Sequence, residues 1–156
     1  MKKMTVTLIA ISLSLYASCA KNAKTTLGDL VRVEKKEQVV TDESGTIKAK
    51  AGEILYLLNF EGKKEIRCGP DSKSGSLVDS TGREYLPVFM GSPRDDGALA
   101  NKEWLFSGTM TAIEDGKFTF AGTATLPEPK AVFVYAVPKN ASGLGLKDGD
   151  QTYPVS

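Results

Sequence analysis

Past its first twenty residues, this chain has apolar runs too short for ordinary helices, and nearly every run is cut off by residues that reverse the backbone. The stretch "GTIKAKAGEILYLLNFEGK" sets the pattern. Ile47 and Ala49 alternate with lysines, Ala51 and Gly52 supply a turn, and Ile54 to Phe60 form a dense apolar run. Such a run between turn signals reads as a strand buried in a core. "EIRCG" follows, with Ile66 and Cys68 on one face, and then a Gly, Pro, Asp and Ser-rich loop from Gly69 to Gly75. "SLVDSTGREYLPVF" reads as a hairpin that turns at Asp79 to Gly82 and returns along Tyr85 to Phe89. Pro87 cannot donate a ladder hydrogen bond, so the returning strand is expected at an edge or a bulge.

Three more β-rich runs follow: "WLFSGTMTAI", "KFTFAGTATL" and "AVFVYAVP". Glu114, Asp115 and Gly116 make a hairpin turn between the first two. Leu144 to Leu146 and Tyr153 to Val155 form a last pair around "KDGDQ". Nearer the start, "LVRVEKKEQVV" alternates only in part, and its charged centre suits an exposed edge strand or a short charged turn. No fixed-period repeat, low-complexity stretch or long amphipathic helix is present. About seven to nine strands at spacings of roughly 8 to 12 residues predict an all-β fold, an antiparallel β-sandwich, with a small β-barrel as the alternative.

A chain of 156 residues has room for one domain with a real core. Its formal net charge of +1 gives no general attraction for nucleic acid, so no nucleic-acid partner is expected. The count with most chemical consequence is the absence of any histidine. It removes the usual general base near neutral pH and the commonest transition-metal ligand, along with every nucleophile–histidine arrangement. No catalytic residues, no metal and no cofactor are expected, and the chain is read as not an enzyme.

The first residues carry an address. Lys2 and Lys3 precede an apolar stretch from Met4 to Ala17, too short to span a bilayer and shaped like a signal peptide, residues 1–18. "LYASC", Leu15 to Cys19, resembles the lipobox of bacterial lipoproteins, in which small residues precede a cysteine that is lipidated on sulfur, becomes the new N-terminus and carries palmitate-type chains. Leu15 lies one position further from the cysteine than in the common pattern, and Tyr16 takes its place. The resemblance implies lipidation of Cys19 and attachment to a membrane in the cell envelope. Ala20 after the cysteine favours the outer membrane or cell surface over the inner membrane. The competing reading is cleavage after Ala20, which would release a soluble secreted or periplasmic protein. Residues 19–28, including "AKNAKTT", have the composition of a flexible tether, leaving 29–156 as the domain.

Three segments, "AKAGEILYLLNFEGK", "LVDSTGREYLP" and "AVFVYAVPKNASGLGLKDGD", resemble a family of immunoglobulin-like bacterial lipoprotein domains of unknown function, related to a small secreted bacterial antigen. Asn59, Asp79, Gly82, Val137 and Pro138 carry the likeness. It implies an immunoglobulin-like sandwich and supplies no catalytic residues.

Residues 90 to 103, "MGSPRDDGALANKE", are the longest stretch without a strand pattern, and loops of that length are where binding concentrates. Met90, Arg94, Asp95, Asp96 and Trp104 are therefore the candidate binding residues for a protein or glycan ligand. Trp104, Phe106, Tyr85 and Phe89 equally suit the core between sheets. Cys68 reads as a small buried hydrophobe, with an exposed thiol or a disulfide to Cys19 as alternatives. The acidic pairs Asp95–Asp96, Glu114–Asp115 and Asp148–Asp150 read as turn residues, since none has the ligand spacing of a calcium loop. An interaction module in the envelope is the expected role. A structural subunit of an envelope complex is the alternative, and an enzyme or enzyme inhibitor the third.

Overall fold

The structure is a computed structural model that describes residues 23–42, 45–69, 74–112 and 118–155. Its strands are β1 (Ala23–Thr25), β2 (Gly28–Lys36), β3 (Gln38–Thr41), β4 (Gly45–Lys48), β5 (Glu53–Glu61), β6 (Glu65–Cys68), β7 (Ser74–Val78), β8 (Glu84–Tyr85), β9 (Phe89–Pro93), β10 (Leu99–Ala100), β11 (Leu105–Ala112), β12 (Phe118–Thr125), β13 (Lys130–Pro138), β14 (Gly145–Asp148) and β15 (Gln151–Pro154). There is no helix among the described residues. Cys19, Glu114 and Asp115 lie outside the described residues, as does the signal segment.

The two most apolar runs of the sequence form one antiparallel ladder. β5 and β13 pair from Glu53–Pro138 to Glu61–Lys130 without a slip in register. Because side chains alternate along a strand, this ladder has two apolar faces. Tyr56, Leu58, Phe60, Phe133, Tyr135 and Val137 face the main core, and Leu55, Leu57, Val132 and Val134 face a second one. Both faces must therefore be covered, which is why these strands read as continuous apolar runs.

The main core is closed by two smaller sheets, β11-β12-β6 and β15-β14-β7-β8. They contribute Ile66, Cys68, Ala124, Leu77, Tyr85 and Leu146. The rings of Phe60 and Phe133 meet edge to face at 5.4 Å, within the favourable aromatic range. The hydroxyl of fully buried Tyr135 donates to the Gly75 carbonyl at 2.8 Å, so its one polar group is satisfied.

The second face is covered by a bend in the large sheet itself, whose strand order is β1-β2-β5-β13-β9-β10-β3-β4. β2 and β3 are separated only by Glu37 yet stand far apart in that order. The chain bends there, and Val39, Ile47 and Leu99 come to lie over Leu55, Leu57, Val132 and Val134. Lys139 pairs with Glu37 at 3.2 Å beside the bend. Among the described residues, pairing is antiparallel apart from one parallel contact, Leu99 with Thr41. The result is an antiparallel β-sandwich with no closed barrel among the described residues.

The structure corrects several local expectations. Residues 23–28 are not a solvated tether: β1 pairs with β2, and Thr25 and Leu27 are buried. Only Glu84 and Tyr85 return along β7, with Pro87 between strands, whereas Phe89 begins β9 beside β13. "MGSPRDDGALA" is a hairpin of β9 and β10 rather than an irregular loop. Arg32 to Lys36 do match the edge reading, since β1 pairs with β2 only as far as Leu30. Cys68 is buried and free, and burial pushes its thiol up to about 11. The last pair forms as read, Gly145–Pro154 to Asp148–Gln151.

The β7–β8 turn is built on Asp79. Its carboxylate accepts hydrogen bonds from the Thr81 hydroxyl and amide, the Arg83 amide and the Tyr85 hydroxyl. Led by the Thr81 and Tyr85 hydroxyls, these bonds hold the Asp79 carboxyl at about 2, against an ordinary value of 3.8. A lowered carboxyl stabilises the fold fully above its ordinary value and loses that contribution as pH falls through its folded one. Stability measured by urea titration should drop between about pH 4 and about pH 2. Asp79→Asn should be less stable at neutral pH and show a shallower fall across that window.

A second prediction concerns Gly28, whose φ is +120°. A Cβ there would stand 2.6 Å from the Glu61 carbonyl oxygen, backbone that cannot move without opening the β2–β5 ladder. Gly28→Ala should cost at least about 2 kcal/mol in chemical denaturation.

Candidate functional site

A cleft of about 690 Å³ opens where the β9–β10 hairpin, the end of β3 and the β12–β13 connection meet. It is lined by Asp42, Ser92, Pro93, Arg94, Asp95, Asp96, Ala100, Lys102, Glu103, Trp104, Pro127 and Glu128. The rim is shaped by a tight turn. The Arg94 amide donates to the Ala98 carbonyl, the Gly97 amide to the Arg94 carbonyl, and the Ala98 amide to Asp96 Oδ1 at 3.0 Å. Gly97, at φ +84°, takes the left-handed position that this reversal needs. Arg94 and Asp96 also pair at 3.3 Å on the exposed rim.

The inner wall is more rigid. Trp104 is 4% exposed, and its indole N–H donates to Ser92 Oγ at 2.8 Å. The Ser92 hydroxyl in turn donates to the Lys130 carbonyl at 2.9 Å, which ties the hairpin to β13. Across the cleft, Asp42 Oδ2 accepts the Asn101 and Lys102 amides at 3.1 Å each, and the Asp42 amide donates to the Leu99 carbonyl. Asp42 Oδ1 and Asn101 Oδ1 are buried acceptors without a hydrogen-bond partner among the described residues. What they lack is a donor.

The lining carries five carboxylates, Asp42, Asp95, Asp96, Glu103 and Glu128, against two cations, Arg94 and Lys102. A concave surface with one excess sign focuses potential and draws counter-charge into it. No group of three or more His, Cys, Asp or Glu side chains among the described residues is arranged to hold a metal ion.

Of the candidate residues, Arg94, Asp95, Asp96 and Trp104 come together in the cleft, while Met90 is partly buried against the main core and does not line it. Trp104 belongs to both: it packs in the core and forms the cleft wall. Asp42, Pro127 and Glu128 were not among the candidates, since only tertiary folding brings them to residues 92–104. A second surface adjoins the cleft wall at Trp104. β11 pairs only with β12 among the described residues, and Leu105, Phe106 and Met110 on it are 70%, 46% and 68% exposed. Phe106 leans on Trp104 at 6.0 Å.

No protein-family model matches the chain, and no curated protein or solved structure matches it.

Ser92 is the joint between core and cleft. Ser92→Ala should leave the Trp104 N–H buried without an acceptor and lower stability by about 1–3 kcal/mol. Thermal unfolding read by the fluorescence of Trp104, the only tryptophan, measures the loss directly.

Proposed function

We propose that the chain is a lipid-anchored envelope protein whose β-sandwich is a non-catalytic binding module, and that its cleft receives a basic segment of a partner protein. The charge of the cleft carries this reading: five carboxylates converge there on a chain whose net charge is +1. The orphaned acceptor of Asp42, a residue of the cleft wall, calls for a donor, and Lys and Arg side chains are donor-only. The hairpin and Trp104 hold the walls before any ligand arrives, which lowers the cost of ordering on binding. Catalysis has little support in a chain without histidine. The lipobox resemblance at Cys19 supports the anchor.

Trp104 makes the test simple. Titration with a short Lys/Arg-rich peptide should change its emission saturably, and binding should weaken as salt is raised. Asp95→Asn combined with Glu128→Gln should reduce affinity about tenfold while leaving the unfolding midpoint near wild type. A cationic amino-sugar oligomer run in parallel reads out the glycan alternative. Unchanged Trp104 emission, or affinity indifferent to salt and to the double variant, would overturn the proposal.

The β11 edge favours a second reading, that of a structural subunit of an envelope complex. A strand edge that is open among the described residues and bears Leu105, Phe106 and Met110 suits strand addition by a partner. Met110→Lys should change stability by less than about 0.5 kcal/mol, because the side chain is exposed, yet abolish retention of a stoichiometric partner in a pull-down from solubilised membranes.

A further inference from the structure

The domain begins earlier than its composition implies, and this limits how far an anchored domain can stand from a bilayer. Three residues, Ala20, Lys21 and Asn22, separate Cys19 from β1. An extended chain advances at most about 3.3–3.6 Å per residue, so the Cα of Cys19 lies within about 14 Å of that of Ala23. The receiving end is fastened to the body of the domain. β1 pairs with β2 from Ala23–Leu30 to Thr25–Gly28, and Ala23 packs on the main core. The Thr26 amide donates to Asp148 Oδ2 at 3.0 Å and its hydroxyl to Asp148 Oδ1, while Tyr153 Oη donates to the Lys24 carbonyl at 3.1 Å. Burial raises the Asp148 carboxyl, but hydrogen bonds from Thr26 and Ser74 outweigh it and keep the group ionised in its clasp.

We infer that an acylated Cys19 holds the domain flush against the membrane, with the β1 end and the outer edge of β2 on the lipid headgroups. The inference rests on the lipoprotein reading and adds the orientation. The headgroup layer is several ångströms deep on each side of a bilayer, and it takes up part of the available reach. What remains does not let the domain clear the surface. The side chains offered there fit that occupant: Lys24, Arg32, Lys35 and Lys36 are exposed on β1 and β2, against Asp29 and Glu34, with Glu34 already paired to Arg32 at 3.5 Å. The surplus is basic, as anionic headgroups require. Beyond Leu30 the outer edge of β2 has no strand partner among the described residues, so nothing described stands between it and the lipid.

The orientation also places the cleft. Ala23, Leu30, Phe60 and Ala131 form one row across the sheet, and Val132 continues it to Gly91, next to Ser92. Four strand spacings, about 19 Å, separate β1 from β9 along that row. With the edge of β2 on the headgroups, the cleft beside Ser92 stands about 19 Å above the anchored edge.

Val88, half-exposed and hydrogen-bonded to Val134 on the side of β13 away from β5, stands three strand spacings, about 14 Å, from β2. Lys35→Cys and Val88→Cys variants of the full-length protein, purified with an acyl cysteine verified by mass and placed in phosphatidylethanolamine–phosphatidylglycerol vesicles, test the orientation. A probe on each introduced thiol, Cys68 being buried, is exposed to a quencher carried on lipid headgroups. Quenching should be several-fold stronger at position 35 than at 88, and a linker of about 12 Gly and Ser residues after Asn22 should erase the difference. Equal quenching at both sites in the acylated, unextended protein would overturn the inference. An unmodified N-terminus in the mass spectrum would instead overturn the lipoprotein reading, and the inference with it.

Discussion

Everything else in this fold is arranged around the β5–β13 ladder, because it is apolar on both sides. A ladder with one apolar face needs one covering layer, and this one needs two. The sheets β11-β12-β6 and β15-β14-β7-β8 supply the first, and the bend at Glu37 supplies the second by carrying β3 over Leu55 and Leu57. Neither cover has a comparable core of its own. The small strands β3, β4 and β10 are too short to persist alone, and they owe their place to the apolar surface beneath them.

The cleft is a by-product of that second cover. Where β10 and the end of β3 lap over β9, their meeting line leaves a hollow beside Trp104, and Asp42 closes it through the Asn101 and Lys102 amides. Its walls are therefore as stable as the core they hang from. Part of the charge of the hollow is independent of this framework: Asp42 and Asp96 hold backbone amides, whereas the Asp95 and Glu128 side chains make no hydrogen bond or ion pair among the described residues. Binding chemistry and folding are separable here, as in domains that present different surfaces on one scaffold.

Much of this was legible in the chain itself. Ile54 to Phe60 and Ala131 to Val137 announce buried strands by apolar continuity, and Asp79 and Gly82 announce their turn. Arg94 to Asp96 were recognisable as a candidate site because they sit in a stretch without a strong strand pattern, and Trp104 because its aromatic ring stands at the edge of that stretch. That same absence concealed β9 and β10, whose Gly91, Ser92 and Ala100 have little strand preference and pair because β13 offers an edge. The "AKTT" segment was similarly misleading: its order comes from Leu30, Asp148 and Tyr153, none of them nearby in a polar tether's local pattern. Asp42 and Glu128 were invisible as site residues for the same reason.

The central claim, that one ladder carries two cores, is tested by truncating neighbouring residues that point to opposite sides. Leu57 and Leu58 are adjacent on β5, buried in the second and main cores respectively. Equilibrium urea unfolding of Leu57→Ala and Leu58→Ala should show losses of about 2–5 kcal/mol for each. If Leu57→Ala instead costs less than about 0.5 kcal/mol, as an exposed position would, the second face is not a core and the account fails.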